Sequence, residues 1–243
     1  MKMFLKFPYD KNDRLDLNLL PPLDQIAAFF LETYQGWGAC MYPQQYIDKI
    51  NSLCKDNNIL LCMDEVQAGF YRMGEFYGYM TYGSHIEPDL ICVGKGLSSS
   101  LPISAVISRD EIIDVDASIN LSSTHAGNAL CCAAALANIR FLSSPQFKSE
   151  LLAKSKVFVK KNNALERFDC VEKVNARGMV SGIIFKNIDA ANYVVDKLIK
   201  NGILPVWTRR ESIKLGPPLT IPIEDINKSM DKLFEILKHY DHP

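Results

Sequence analysis

Residues 24–64 read DQIAAFFLETYQGWGACMYPQQYIDKINSLCKDNNILLCMD. An apolar run from Ile26 to Leu31 gives way to a glycine-bearing turn (Gly36, Gly38). Next comes a segment from about Gln44 to Asp56 whose apolar residues recur at helical spacing, and then a second apolar run, ILLCMD. Strand, amphipathic helix and strand in this order predict a βαβ unit. Such a unit crosses over right-handed, places its strands side by side in a parallel sheet, and gathers ligands beyond the carboxyl ends of those strands. Asp64 stands at one such end.

Working outward, a long glycine-punctuated loop leads to a third strand, DLICVG (89–94), and Lys95 follows it at once. Lys95 is therefore expected on the same rim as Asp64. LPISAVISRD (101–110) reads as a further strand, SSTHAG (122–127) as a loop, and NALCCAAALANIRFL (128–142) as an alanine-rich helix buried on most sides. Beyond Ser144-Pro145 the texture becomes a lysine-rich helix from about Gln146 to Glu166, a strand at 178–185, a helix at 189–202 and a strand at 203–208. A loop at 209–221 and a last helix from about Glu224 to Tyr240 complete the chain. The fold class is α/β, with a mostly parallel sheet flanked by helices in residues 1–143 and a smaller α/β domain in residues 144–243.

A 48% hydrophobic content in 243 residues allows a sizeable core, and a formal net charge of −1 leaves no basic face for nucleic acid or anionic lipid. Seven cysteines (Cys40, Cys54, Cys62, Cys92, Cys131, Cys132 and Cys170) show no metal-ligand spacing and read as reduced core thiols. The opening MKMFLKFPYDKNDRLD is neither a signal peptide nor a membrane span, so a cytoplasmic, membrane-free protein is expected.

A lysine at a strand end can be a surface charge, a phosphate ligand, or an amine that forms a Schiff base. The phosphate-loop pattern fails, because it requires a glycine at position 89, where Asp89 stands, and a hydroxyl at position 96, where Gly96 stands. A Schiff base with pyridoxal phosphate would need a carboxylate to keep the pyridine nitrogen protonated, and Asp64 could supply it. Taken alone, Asp64 could equally cap the turn after its strand, and SSTHAG could equally be a plain cap for the helix that follows or a phosphate-binding loop.

Taken together, LLCMDEVQAGFYRMG (60–74), PDLICVGKGLSSSLPISAV (88–106) and STHAGNALCCAAALA (123–137) resemble consecutive motifs of the class III (ornithine/ω-type) pyridoxal-phosphate aminotransferases. ETYQGWGACMYPQQYI (32–47), ARGMVSGIIF (176–185) and GPPLTI (216–221) are similar to further segments of that family. The resemblance implies a fold-type-I transferase with pyridoxal 5'-phosphate as cofactor. Lys95 would carry the cofactor as its aldimine, Asp64 would partner the pyridinium nitrogen, Val66 would pack on one ring face and Gln67 would donate to the phenolic oxygen. Thr124 would bind the cofactor phosphate of the neighbouring subunit in a homodimer with shared sites. The implied reaction moves an amino group between an amine or amino acid and a keto acid or aldehyde, with the freed Lys95 amine shuttling the proton.

Some family features have no counterpart. The family's long N-terminal half, with its glycine/serine phosphate loop and stacking aromatic, is missing, so the chain is expected to be the C-terminal portion of a larger protein. Trp37 replaces a frequent glutamate, and Lys214 replaces a frequent arginine, a poorer bidentate partner for a carboxylate. Arg72 and His125 match family positions and are read as structural, and Arg209 with Arg210 as a solvated loop pair. Racemase, aminomutase or lyase chemistry on the same cofactor, a non-catalytic remnant of the fold, and an unrelated binding domain with a surface Lys95 remain open alternatives.

Overall fold

The computed structural model describes residues 16–36, 39–113 and 123–241. In chain order, β1 (Ala28–Glu32) is followed by a ribbon of β2 (Tyr34–Gln35) and β3 (Cys40–Met41), helix α1 (Gln44–Asp56), β4 (Leu60–Asp64), β5 (Leu90–Val93), β6 (Ala105–Ser108) and the short α2 (Asp110–Ile113). The chain continues with α3 (Ala129–Leu142), α4 (Pro145–Asn163), β7 (Val171–Arg177), β8 (Val180–Phe185), α5 (Ile188–Lys200), β9 (Val206–Arg210), β10 (Ser212–Leu215) and α6 (Ile223–Asp241).

The first sheet has the order β1-β4-β5-β6, with β1, β4 and β5 parallel and β6 antiparallel at the edge. The βαβ unit expected from residues 24–64 is therefore present. Alternation assigns Phe29, Leu31, Leu61 and Met63 to one face, and α1 closes that face with Tyr46, Ile47, Ile50 and Cys54, which recur at helical spacing. The other face is less complete, with Phe30 61% and Val106 53% exposed.

The alanine-rich segment does form a helix, α3, but the expectation that it is buried on most sides is not met. Leu130, Leu136 and Phe141 are exposed, and only Ala135 and Leu142 are buried. An apolar composition without a moment cannot say how many sides of a helix have neighbours, and the described residues supply α3 with only one strip. Asn128 caps its start, accepting from the backbone N–H groups of Leu130 and Cys131. The cysteines are all free, as expected, but only Cys54, Cys62 and Cys170 are buried and Cys132 is exposed, so they are not uniformly core thiols. Burial pushes each of the three buried thiols up to about 12, which leaves them unreactive at neutral pH.

The second sheet is antiparallel throughout, in the order β7-β8-β10-β9, with α4, α5 and α6 supplying the residues of its core. Two of its strands escape the sequence reading. In β7, Glu172 and Lys173 interrupt the apolar alternation at a register shift, and only Val171 and Val174 are buried. The four residues of β10, expected in a loop, are paired on both sides and bury Ser212 and Ile213. The strand expected at 203–208 begins later, at Val206, after the N–H-lacking Pro205, and takes in Arg209 and Arg210, so these two are exposed strand residues and not a loop pair. Among the described residues no helix is long and apolar enough to cross a membrane.

The two sheets meet where the turn between β7 and β8 docks on the loop after β4. Gly178 adopts φ +60°, and a Cβ there would lie 2.3 Å from the Met73 carbonyl carbon and 2.6 Å from the Arg72 carbonyl oxygen. The neighbouring Met179 N–H donates to that same Arg72 oxygen at 2.8 Å. Gly178→Ala therefore meets both an unfavourable backbone region and rigid backbone atoms. Its expected cost is at least about 2 kcal/mol, lowering the thermal unfolding midpoint by roughly 4–8 °C as read by calorimetry. An unchanged midpoint would show that this contact does not hold the sheets together.

Candidate active site

The carboxyl ends of the parallel strands form the floor of the site. The sheet register aligns Glu32, Asp64 and Cys92 on neighbouring strands, and Lys95 lies three residues beyond Cys92. Gly94 leads into a single 3-10 turn, Lys95–Leu97, and Lys95 itself takes φ +33°. That backbone region is sparsely populated by residues other than glycine, and such outliers gather where a side chain must be aimed at a ligand. Asn138 from α3 secures the turn, donating through Nδ2 to the carbonyls of Gly96 at 2.7 Å and Leu97 at 3.1 Å. Gly96 packs closely on Phe70, where an added Cβ would come within 3.3 Å of the ring.

A cavity of about 680 Å³ opens beside this turn, between the two sheets. Its walls include Lys95, Val66 and Gln67 from the first sheet's loops and Lys214, Val180 and Thr220 from the second. Three of the five residues expected to hold the cofactor thus converge on one space. Asp64 and Thr124 do not line it. Asp64 sits at the end of β4, where Oδ1 accepts from the Val66 N–H at 3.0 Å and caps the turn, while Oδ2 accepts no hydrogen bond from the described residues. Thr124 and His125 are exposed in the turn before α3. Trp37 lies outside the described residues.

The cavity is rich in cations. Lys95, Lys214 and Arg72 all contribute to its lining, and no carboxylate does among the described residues. Arg72 is structural, as expected: its Nη1 donates to the carbonyls of Met179 at 2.8 Å and Pro217 at 2.7 Å, both on the far side of the seam. Burial lowers its pKa from the usual arginine value. Lys214 was noticed in the sequence only as a substitution inside a supposed loop. In the structure it donates to Gln67 Oε1 at 2.7 Å and to the Gly36 carbonyl at 3.0 Å. Burial, and next the charge of Lys95, push its ammonium below the ordinary lysine range, with Glu32 opposing. Tyr34 also lines the cavity and went unrecognised. Burial pushes its phenol up to about 12, so it stays a neutral donor, and its hydroxyl reaches the Gln67 carbonyl at 3.4 Å.

Beneath the cavity lies Glu65, fully buried next to Asp64. Its carboxylate accepts from Thr33 Oγ1, from the Gly78 N–H at 2.6 Å and from the Tyr79 N–H at 2.9 Å. Burial raises its pKa despite these donors. Nothing in EVQ at 65–67 separates a structural carboxylate from a reactive one; only its enclosure does.

This arrangement can be compared with known proteins. The model of the family described as aminotransferase class-III matches residues 19–237. The chain belongs to the class-III aminotransferases. Similar relatives of this family include the ornithine aminotransferase of Oceanobacillus iheyensis, 32% identical over 216 residues, and the acetylornithine aminotransferase of Methanocaldococcus jannaschii, 30% identical over 217 residues. Each alignment covers 88% of this chain and 53% of the relative, so the chain spans about half the length of the curated relatives it matches. Among solved structures, an S-selective transaminase from Arthrobacter sp. superposes with a TM-score of 0.82 at 26% identity, covering 90% of this chain and 53% of the other. The ornithine delta-aminotransferase of Plasmodium falciparum gives 0.80 at 28% identity, covering 88% and 55%. The fold is that of the fold-type-I transferases, and class-III aminotransferases use pyridoxal phosphate. The residues present fit that group: an apolar wall at Val66, the amines of Lys95 and Lys214 suited to an anionic ligand, and a carboxylate oxygen of Asp64 open to a further donor.

Replacing Glu65 by glutamine tests the floor. Whichever way the amide is turned, its NH2 faces at least one of the N–H groups of Gly78 and Tyr79 and leaves it without an acceptor. The expected loss is about 2 kcal/mol of stability in urea unfolding. A value near zero would mean the enclosure relaxes freely.

Proposed function

We propose that the protein carrying this chain is a pyridoxal-phosphate-dependent aminotransferase whose covalent cofactor anchor is Lys95. The observation that carries the reading is the convergence of Lys95, Val66 and Gln67 on one cation-lined cavity, beyond the strand end that bears Asp64. Bound there, pyridoxal phosphate supplies an electron sink for the carbon that bears the amino group. Asp64, one oxygen held by the Val66 N–H, would offer the other to the ring nitrogen. Val66 would pack on one ring face and Gln67 would donate to the phenolic oxygen.

Lys95 has two tasks, carrying the cofactor and, once displaced by an amine donor, moving a proton at the substrate carbon. The strained backbone at φ +33° and the Asn138 clamp on the following turn keep its stem aimed along the cavity. The substrates are an amine or amino acid donor and a keto acid or aldehyde acceptor. Thr124, on the exposed turn before α3, serves the phosphate bound in a neighbouring subunit, which makes the active form a homodimer. The division at Ser144, where α4 receives its cap, separates the C-terminal part of a large cofactor-binding domain (1–143) from a small domain (144–243), and the cytoplasm is the site of action.

Borohydride reduction of the full-length, cofactor-loaded protein followed by peptide mapping tests the anchor. The cofactor is expected on the peptide containing Lys95, and Lys95→Ala should lower turnover by at least about 10³-fold, since the proton transfer alone is worth about 10²–10⁴. Fixation on another lysine, or none, would overturn the assignment. Donor-dependent conversion of the cofactor to its amine form separates transamination from racemase, aminomutase or lyase chemistry.

A further inference from the structure

Lys214 stands on β10 of the second sheet, yet both acceptors of its Nζ, Gln67 Oε1 at 2.7 Å and the Gly36 carbonyl at 3.0 Å, belong to the loops of the first. An ammonium carries three donors and no acceptor. A carboxamide that touches it must therefore present oxygen. Turned by half a rotation, the Gln67 amide would set its own NH2 against the ammonium, two donors face to face. Nε2 is then the end of the amide that lies against Gly36, so closely that a Cβ on that residue would lie 2.5 Å from it. The amide is held on two sides, by a charge and by the absence of a side chain.

This orientation bears on the cofactor. A phenolic oxygen that carries negative charge needs a donor, and Nε2 is the only donor in the Gln67 side chain. We propose that Lys214 is a positioning residue of this site, locking the Gln67 carboxamide so that Nε2 and not Oε1 is offered to the cofactor's ring oxygen. The inference rests on the pyridoxal-phosphate reading given above. The charged groups that act on Lys214 are Lys95, Glu32 and Arg72. Because Lys214 reaches from the second sheet, the lock forms only when the two sheets are docked, which couples assembly of the cavity to the polarity of its glutamine.

The test is a pH titration of the cofactor's visible absorbance in the full-length, loaded protein. Deprotonation leaves negative charge on the ring oxygen; an N–H donor stabilises that state and lowers the titration midpoint. Lys214→Met keeps the side chain's bulk and removes the donor, so the midpoint should rise by about one pH unit. Lys214→Arg, again donor-only, should stay near the wild-type midpoint. In a Gln67→Leu background the same Lys214→Met change should shift the midpoint little, because its effect runs through the amide. Should Lys214→Met fail to fold, Lys214→Gln, which tolerates either amide orientation, takes its place in the cycle and should raise the midpoint. An unchanged midpoint, or an undiminished shift in the Gln67→Leu background, overturns the positioning role while cofactor binding stands. A wild-type protein that shows no cofactor absorbance overturns the cofactor reading instead.

Discussion

The contact on which the structure turns is the docking of the β7–β8 turn onto the loop that follows β4. Three features act at one point: Gly178 lets the backbones approach, the Met179 N–H donates to the Arg72 carbonyl, and the Arg72 guanidinium donates to the carbonyls of Met179 and Pro217. Hydrogen bonds from a charged donor contribute about 1.5–3 kcal/mol each, and a guanidinium deprived of these acceptors would remain partly desolvated. The seam is thus held by groups with few other options. Without it the cavity would lose one of its two walls.

The electrostatics of the cavity follow from the same docking. Each sheet alone would leave its lysine facing solvent. Brought together, Lys95 and Lys214 face one space, and the second is depressed by burial and by the charge of the first. A cavity with three cations and no lining carboxylate is poised for an anion. Glu65, the nearest fully buried acid, is taken up by Thr33 and two backbone N–H groups and so contributes structure without compensating the cavity's charge.

Much of this was legible from residues 24–64 and 88–106. Two apolar strands separated by a helix of 3.6 periodicity permit few topologies, and the strand-end positions of Asp64 and Lys95 follow from that unit and the strand after it. Local spacing carries such information because a strand's direction and a helix's face are set by neighbours in the chain. The period of α1 told which of its sides is buried; the uniform apolarity of α3 did not, and its exposed Leu130, Leu136 and Phe141 contradict the simplest reading.

The sequence by itself determined the first sheet's parallel unit, the glycine-bearing turn inside it, and the placing of an acid and an amine at strand ends on one rim. Only the tertiary structure decided that β7 and β10 are strands: β7 pairs with β8 across a tight turn and β10 pairs with both β9 and β8, and neither segment has an unbroken alternation of its own that would announce this pairing. It alone decided that Lys214 belongs to the site, that Tyr34 faces it, and that Glu65 is enclosed by Thr33 and two backbone N–H groups. Each of these depends on which groups enclose a side chain, and enclosure is a property of elements distant in sequence.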